Sequence, residues 1–411
     1  MECEHLIPVI DFCDHVMVAG QGSYLIGENG QKYIDLNSGQ FCTVLGHGND
    51  DFQEKVFAQL KLLAHTASDI VSEQILNCAQ KMNRISGEMN ARVISLSTGS
   101  EAVEFALRYG KHITGVEGVI CFDKGYHGLT LGSQSITYGG CFTKPHVEST
   151  YSVSIPSHDA DEAAIQLHLQ EVQDIVDAHK GEIALVIMEP VASVGGMFYP
   201  PASYFKGVRK ICDDNSILLV FDESQTGFGR LGSWFGYQRL GVMPDMVVLS
   251  KGVGMGFPIS FVMMAERIIP EDGFGMTHYS SHQNDAFAGT ITGAAIDYIE
   301  ENGILARVED MGKRYLDRLV QLSECNEHFI NPRGQGLMIG GEFYFEGVKD
   351  YRRIYHELRN EMMNEGVIIQ GTNGGMTFRS LPDYLIGYEV IDEAITVLDK
   401  VLKQRDWRKY E

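Results

Sequence analysis

The sequence predicts an α/β protein: a mostly parallel central sheet between helices, with a smaller α+β domain built from the two chain ends. Three observations predict it. Apolar runs of strand length alternate with longer helical patterns through the middle of the chain. Several of those runs are apolar at nearly every position, as in strands buried on both faces. From about residue 304 the alternation gives way to long helices with a few strands, "LMIGGEFYF", "VIIQG" and "MTFRS".

In chain order, strands are expected at "RVISLS" (92–97), "GVICFD" (118–123), "IALVIMEPV" (183–191), "SILLVFDES" (216–224), "DMVVLSK" (245–251) and "PISFVMMA" (258–265). Helices are expected at 100–113, 161–180, 201–215 and 289–303. The division that follows is an N-terminal segment, 1–45, packing with the small domain. A large α/β domain, 46–303, and a C-terminal small domain, 304–411, complete it.

A chain of 411 residues, 44% of them hydrophobic, can bury a large core. The formal charge of −22 repels nucleic acid and anionic membrane, so neither is an expected partner. The eight cysteines (Cys3, Cys13, Cys42, Cys78, Cys121, Cys141, Cys212, Cys325) form no CxxC pair. That pattern argues against a disulfide framework or cysteine zinc site and fits a reducing, cytoplasmic setting. The start, "MECEHLIPVIDF", does not read as a signal peptide.

In such sheets ligands sit beyond the carboxyl ends of the strands. Glu189, Asp222, Glu223, Gln225 and Lys251 all fall there, which predicts one shared site. "SLSTGSEAVEFAL" carries a strand into a helix through Ser97–Ser100, whose N–H groups and helix dipole suit an anion. A plain N-cap would look the same. Asp222 ends an apolar strand, and its carboxylate needs a donor: a protonated pyridine nitrogen, or an arginine such as Arg230. Tyr126, in "DKGYHG", can stack on a flat cofactor or simply fill core. Lys251, alone among glycines in "LSKGVGMGFP", suits Schiff-base chemistry through a desolvated, lowered amine. Anion cradle, buried acid, aromatic and lysine together describe a pyridoxal phosphate site.

With "STGSEAVE", "YHG", "MEPV", "DESQTGFGRLG" and "LSKGVGMGFP" in this order, nearly the whole chain resembles the class III aminotransferases. The resemblance implies a fold type I pyridoxal-phosphate-dependent transferase. It implies that Gly99 and Ser100 bind phosphate, that Tyr126 stacks on the ring beside His127, and that Asp222 faces the pyridine nitrogen. Gln225 would contact the ring hydroxyl and Lys251 would carry the cofactor. Ser281 would reach the phosphate of a neighbouring subunit, which implies a homodimer with shared active sites. Arg379, in "FRSLP", with Ser193, would bind a substrate carboxylate. Substrates would be an amino acid and a small keto acid.

"SGQFCTVLGH", "SVGGMFYP" and "HYSSHQNDAFAG" are similar to the dialkylglycine decarboxylase branch of that family. This finer likeness implies loss of carbon dioxide from an α,α-disubstituted amino acid, with Gln40 holding the departing carboxylate. Alternatives are an ordinary aminotransferase, a racemase or epimerase on the same fold, and a non-catalytic binding protein. Tyr126 stands where that branch tends to have tryptophan, and Val194 replaces its usual serine. The branch also implies a potassium or sodium ion held by Ser68 and Asp285 with oxygens of Thr66, Ser281 and Gln283. The competing reading makes Asp285 a helix cap.

Overall fold

The computed structural model describes residues 5–7, 9–10, 12–13, 15–138, 149–271, 273–348, 350–404 and 407. Cys3 and Cys141 lie outside these residues. The strands in chain order are β1 (Met17–Gln21), β2 (Tyr24–Gly27), β3 (Lys32–Asp35), β4 (Ala91–Leu96), β5 (Gly118–Phe122), β6 (Thr150–Val153), β7 (Ile183–Met188), β8 (Leu218–Asp222), β9 (Met246–Leu249), β10 (Ser260–Ala265), β11 (Phe329–Gln335), β12 (Met338–Phe343), β13 (Val367–Ile368), β14 (Gln370–Thr372) and β15 (Thr377–Ser380).

The central sheet has seven strands in the order β4-β10-β9-β8-β7-β5-β6. From β9 to β6 every pairing is parallel. β10 runs antiparallel to both β9 and β4, so β4 points the same way as the parallel set. β7, β9 and β10 are buried at every position, because helices cover both faces of the sheet. Six strands fall where the apolar runs predict them. Their ends are trimmed for local reasons: Ser216 is a left-handed C-cap at φ 58°, so β8 starts two residues later. Pro258 has no N–H to donate to a ladder and stays outside β10.

The four expected helices appear as Gly99–Thr114, Glu162–Ala178, Ala202–Asn215 and Ala286–Glu301. The last begins three residues before the expected start, because Asp285 supplies its cap through Phe287 N–H. Edge strand β6 and the helices Asp50–Leu62 and Glu73–Ser86 are additions.

Two small sheets flank the large one. β1-β2-β3-β13 joins the chain's beginning to its C-terminal part, with Ile34 beside Val367 in parallel register. β11-β12-β15-β14 is antiparallel and sets Gln370 beside Arg379 on neighbouring strands. No helix of the described residues is long and apolar enough to cross a membrane.

Candidate active site

The carboxyl ends of β4, β5, β7, β8 and β9 open on one cavity of about 490 Å³. Ser97–Ser100, Tyr126, His127, Glu189, Asp222, Gln225, Lys251, Gln40 and Arg379 all line it. The single site expected from the strand ends is therefore formed, with one correction. Glu223 does not face the cavity. Side chains alternate along a strand, and Glu223 turns opposite to Asp222. Its carboxylate accepts from Gly236 N–H, from Tyr237 N–H at 2.9 Å and from Thr226 Oγ1 at 3.1 Å. Burial pushes it up to about 7, and its role is structural.

Asp222 sits 2.9 Å from His127 Nδ1 through Oδ2 and accepts Ser224 N–H at Oδ1. Burial works to raise the Asp222 carboxyl, but His127, Ser224 and Lys251 together hold it below the usual carboxylate range. Burial likewise opposes a charged His127, yet Asp222 and Glu189 raise that ring above its ordinary value. Arg230, the alternative partner, is elsewhere: it donates to the carbonyls of Leu337 and Pro382 and lies over Tyr384. Asp222 is thus a buried anion supported on one side and facing the cavity.

Lys251 comes two residues after the end of β9 and adopts φ 53°, a left-handed backbone that a non-glycine residue rarely takes. Burial lowers its amine below the ordinary lysine range, while Asp222, Cys42 and Glu189 pull the other way. A lowered amine has a larger fraction of free base, which is the nucleophilic form. Glu189 accepts Tyr126 N–H at 3.0 Å, and burial pushes its carboxyl up to about 7.

The anion cradle is explicit. Thr98 caps the helix Gly99–Thr114 by accepting Glu101 N–H, and Ser97 N–H goes to the Glu101 carboxylate at 2.8 Å. The N–H groups of Gly99 and Ser100 are left at the dipole's positive end. A Cβ on Gly99 would stand 2.7 Å from Ser250 Oγ, so any larger residue would force Ser250 to shift. Gln40 sits on the short turn Ser38–Phe41, where Ser38, Gly39 and Phe41 all have positive φ. Asp35 holds that turn by accepting Asn37 N–H and Gly39 N–H.

Arg379 is buried against Phe41, its guanidinium 4.6 Å from the ring centroid. Nη1 donates to Ser193 Oγ at 3.2 Å and Nη2 to Gln370 Oε1 at 2.9 Å. Both partners are neutral, and burial pushes the guanidinium down to about 10. Ser193 is fully buried behind Arg379 and does not line the cavity. Gln370 also donates to Gln40 Oε1 at 2.9 Å, so one amide ties the two expected carboxylate binders together. Sequence reasoning missed Gln370, which no motif marks.

Ser281 lies on an exposed loop outside the cavity. Around the expected alkali ion, Ser68 Oγ donates to Ser280 O and Thr66 Oγ1 to Ile70 O, while Gln283 Oε1 accepts Ser280 N–H. The Asp285 carboxylate is instead met by His65 and by His282 of the quoted "HYSSHQNDAFAG", two residues that sequence reasoning passed over.

The residues fit pyridoxal phosphate. His127 Nε2, Gln225 Oε1 and Arg379 Nε are buried polar atoms without a partner among the described residues, and all three residues line one cavity. Buried polar atoms left so are expected only where something else completes them. Gly99 and Ser100 would hold the phosphate, Asp222 the ring nitrogen, Gln225 the ring hydroxyl and Lys251 the aldehyde carbon.

The aminotransferase class-III family model matches residues 11–402. The acetylornithine aminotransferase of Methanosarcina acetivorans is 30% identical over 390 residues, covering 94% of this chain and 91% of that one. That of Archaeoglobus fulgidus is 28% identical, covering 97% and 98%. An amine transaminase from an uncultivated Pseudomonas species, solved in its pyridoxal-phosphate-bound form, superposes with TM-score 0.90 at 23% identity, covering 98% of this chain and 99% of that one. A transaminase from the marine bacterium Virgibacillus gives 0.87 at 24%, covering 95% and 93%. Fold and cavity define a pyridoxal phosphate enzyme of fold type I. Within that class the chain belongs to the class III aminotransferases.

Proposed function

We propose that the chain carries out ordinary transamination, from a carboxylate-bearing amino donor to a small keto acid, in preference to decarboxylation. Arg379 carries this reading. A buried cation whose hydrogen-bond partners among the described residues are neutral favours an incoming anion, and it lines the same cavity as Lys251. The relatives named acetylornithine aminotransferase support a donor whose amine lies at the far end from its carboxylate. The dialkylglycine decarboxylase likeness is the weaker guide to activity.

When bound, pyridoxal phosphate supplies an aldehyde and an electron-withdrawing ring. The chain's residues do the rest. Gly99 and Ser100 N–H groups fix the phosphate, and Gln225 fixes the ring's rotation. Asp222, kept ionised by His127, holds a proton on the ring nitrogen. Lys251, its amine lowered by burial, takes and returns the proton at the donor's amine-bearing carbon. Arg379 orients the donor by its carboxylate. We also propose a homodimer as the working unit, because Ser281 is exposed on a loop outside its own chain's cavity.

Decarboxylation remains the second reading on one observation. Gln370 engages the carbonyl end of Gln40, which leaves the Gln40 amide NH₂ for a substrate carboxylate. A donor screen that scores amine transfer and carbon dioxide together separates the two. Amine transfer from alanine or acetylornithine without carbon dioxide is expected. Carbon dioxide from 2-aminoisobutyrate, faster than any simple transfer, would replace the first reading by the second.

A further inference from the structure

We propose that His65, His282 and Asp285 form a binding site for a divalent transition cation of the zinc class, outside the cofactor cavity. The Asp285 carboxylate divides its work. Oδ1 accepts Phe287 N–H at 3.1 Å and caps the helix Ala286–Glu301. Oδ2 lies 2.8 Å from His65 Nδ1 and 3.0 Å from His282 Nδ1. The three donor atoms lie within 4.8 Å of one another. Two imidazoles and a carboxylate are a zinc-type donor set, with a fourth position left for water.

The distances allow it. With metal–ligand bonds near 2.0–2.2 Å, neighbouring donor atoms of a tetrahedral site stand about 3.3 Å apart. The two imidazole nitrogens, at 2.8 and 3.0 Å from Asp285 Oδ2, would move back from it by a few tenths of an ångström, and the spread of all three donor atoms, within 4.8 Å, lies within reach of small ring rotations. The rings have room, since the His65 and His282 side chains are 46% and 65% exposed while Asp285 is 8% exposed. An ion would enter from the solvent side, with the carboxylate behind it. Each ring would pass its Nδ1 proton to Nε2 or to water as the metal takes its place, and the cap at Oδ1 would survive.

The donor set also distinguishes this site from an alkali site. Alkali cations prefer all-oxygen shells, whereas the Asp285 carboxylate oxygen that faces this site is met by two imidazole nitrogens. The ion would clamp the loop that carries Ser281 to a segment some 220 positions earlier in the chain.

The test uses untagged holoenzyme, stripped with chelator and titrated with Co²⁺ as a visible probe, then Zn²⁺ in competition. One equivalent of Co²⁺ per chain with tetrahedral-type absorption, displaced by Zn²⁺, is expected. His65→Ala, and separately Asp285→Asn, should weaken binding by more than about 10-fold. Asparagine still caps the helix, and the cofactor chromophore reports that each variant is folded. No stoichiometric binding by the wild type, or equal binding by the His65→Ala variant, would overturn the site. Activation by potassium with no retention of Co²⁺ or Zn²⁺ would overturn it too.

Discussion

His127 Nδ1 stands 2.9 Å from Asp222 Oδ2, with both side chains buried at the end of β8. This contact decides the charge that Asp222 presents to the cofactor ring. Removing the imidazole leaves a buried carboxylate without its main support. His127→Ala should lower the unfolding free energy of the apoprotein by about 3 kcal/mol. It should also slow turnover while cofactor still binds. Chemical denaturation of both proteins checks the first, and chromophore titration the second.

Asp222→Ala should retain cofactor through the phosphate cradle and Lys251. Its turnover should fall by several powers of ten, each tenfold being about 1.4 kcal/mol of barrier. Near-normal turnover would mean that ring protonation does not depend on this residue. Single-turnover kinetics with a saturating donor read the effect directly.

Glu189 is held up at about 7 by burial, far above an unfolded carboxyl. A carboxyl with a raised folded value costs stability as pH climbs. Between about pH 4.5 and 7 the unfolded chain has released this proton and the folded chain has not, so folding loses ground across that window. Glu189→Gln keeps an acceptor for Tyr126 N–H and removes the charge. Relative to wild type, the variant apoprotein should gain melting temperature from pH 5 to pH 8. A constant difference across that range would contradict the assignment.

Gln370 joins Gln40 to Arg379. Gln370→Ala should free both side chains and raise KM for carboxylate substrates several-fold, with little change for an amine that has no carboxylate. Gln40→Ala should leave alanine transamination nearly intact if transamination is the main reaction. A larger loss in carbon dioxide release than in amine transfer would point to the second reading.

Lys251 and Asp222 were legible because strand-end position and residue type agree: each is a charged group at the close of an apolar run. Glu223 shows the limit of that logic. It shares the same stretch, yet one step along the backbone reverses its direction, and only the paired N–H groups of Gly236 and Tyr237 reveal where it points. The antiparallel β10 was equally hidden, since an apolar run does not state its direction. Gln370 was invisible for a different reason. Its partner Gln40 lies 330 positions away, and only the pairing of β14 with β15 brings Gln370 beside Arg379. His65 and His282 were likewise separated by the chain and reunited by the fold.

The central claim is that Lys251 is the residue that holds pyridoxal phosphate. Reduction of the cofactor-loaded protein with borohydride, followed by proteolysis and mass spectrometry, tests it most directly. The predicted result is a single phosphopyridoxyl adduct on the peptide containing Lys251, with no adduct and no yellow chromophore in the Lys251→Ala variant. An adduct on another lysine, or none on the wild type, would contradict it.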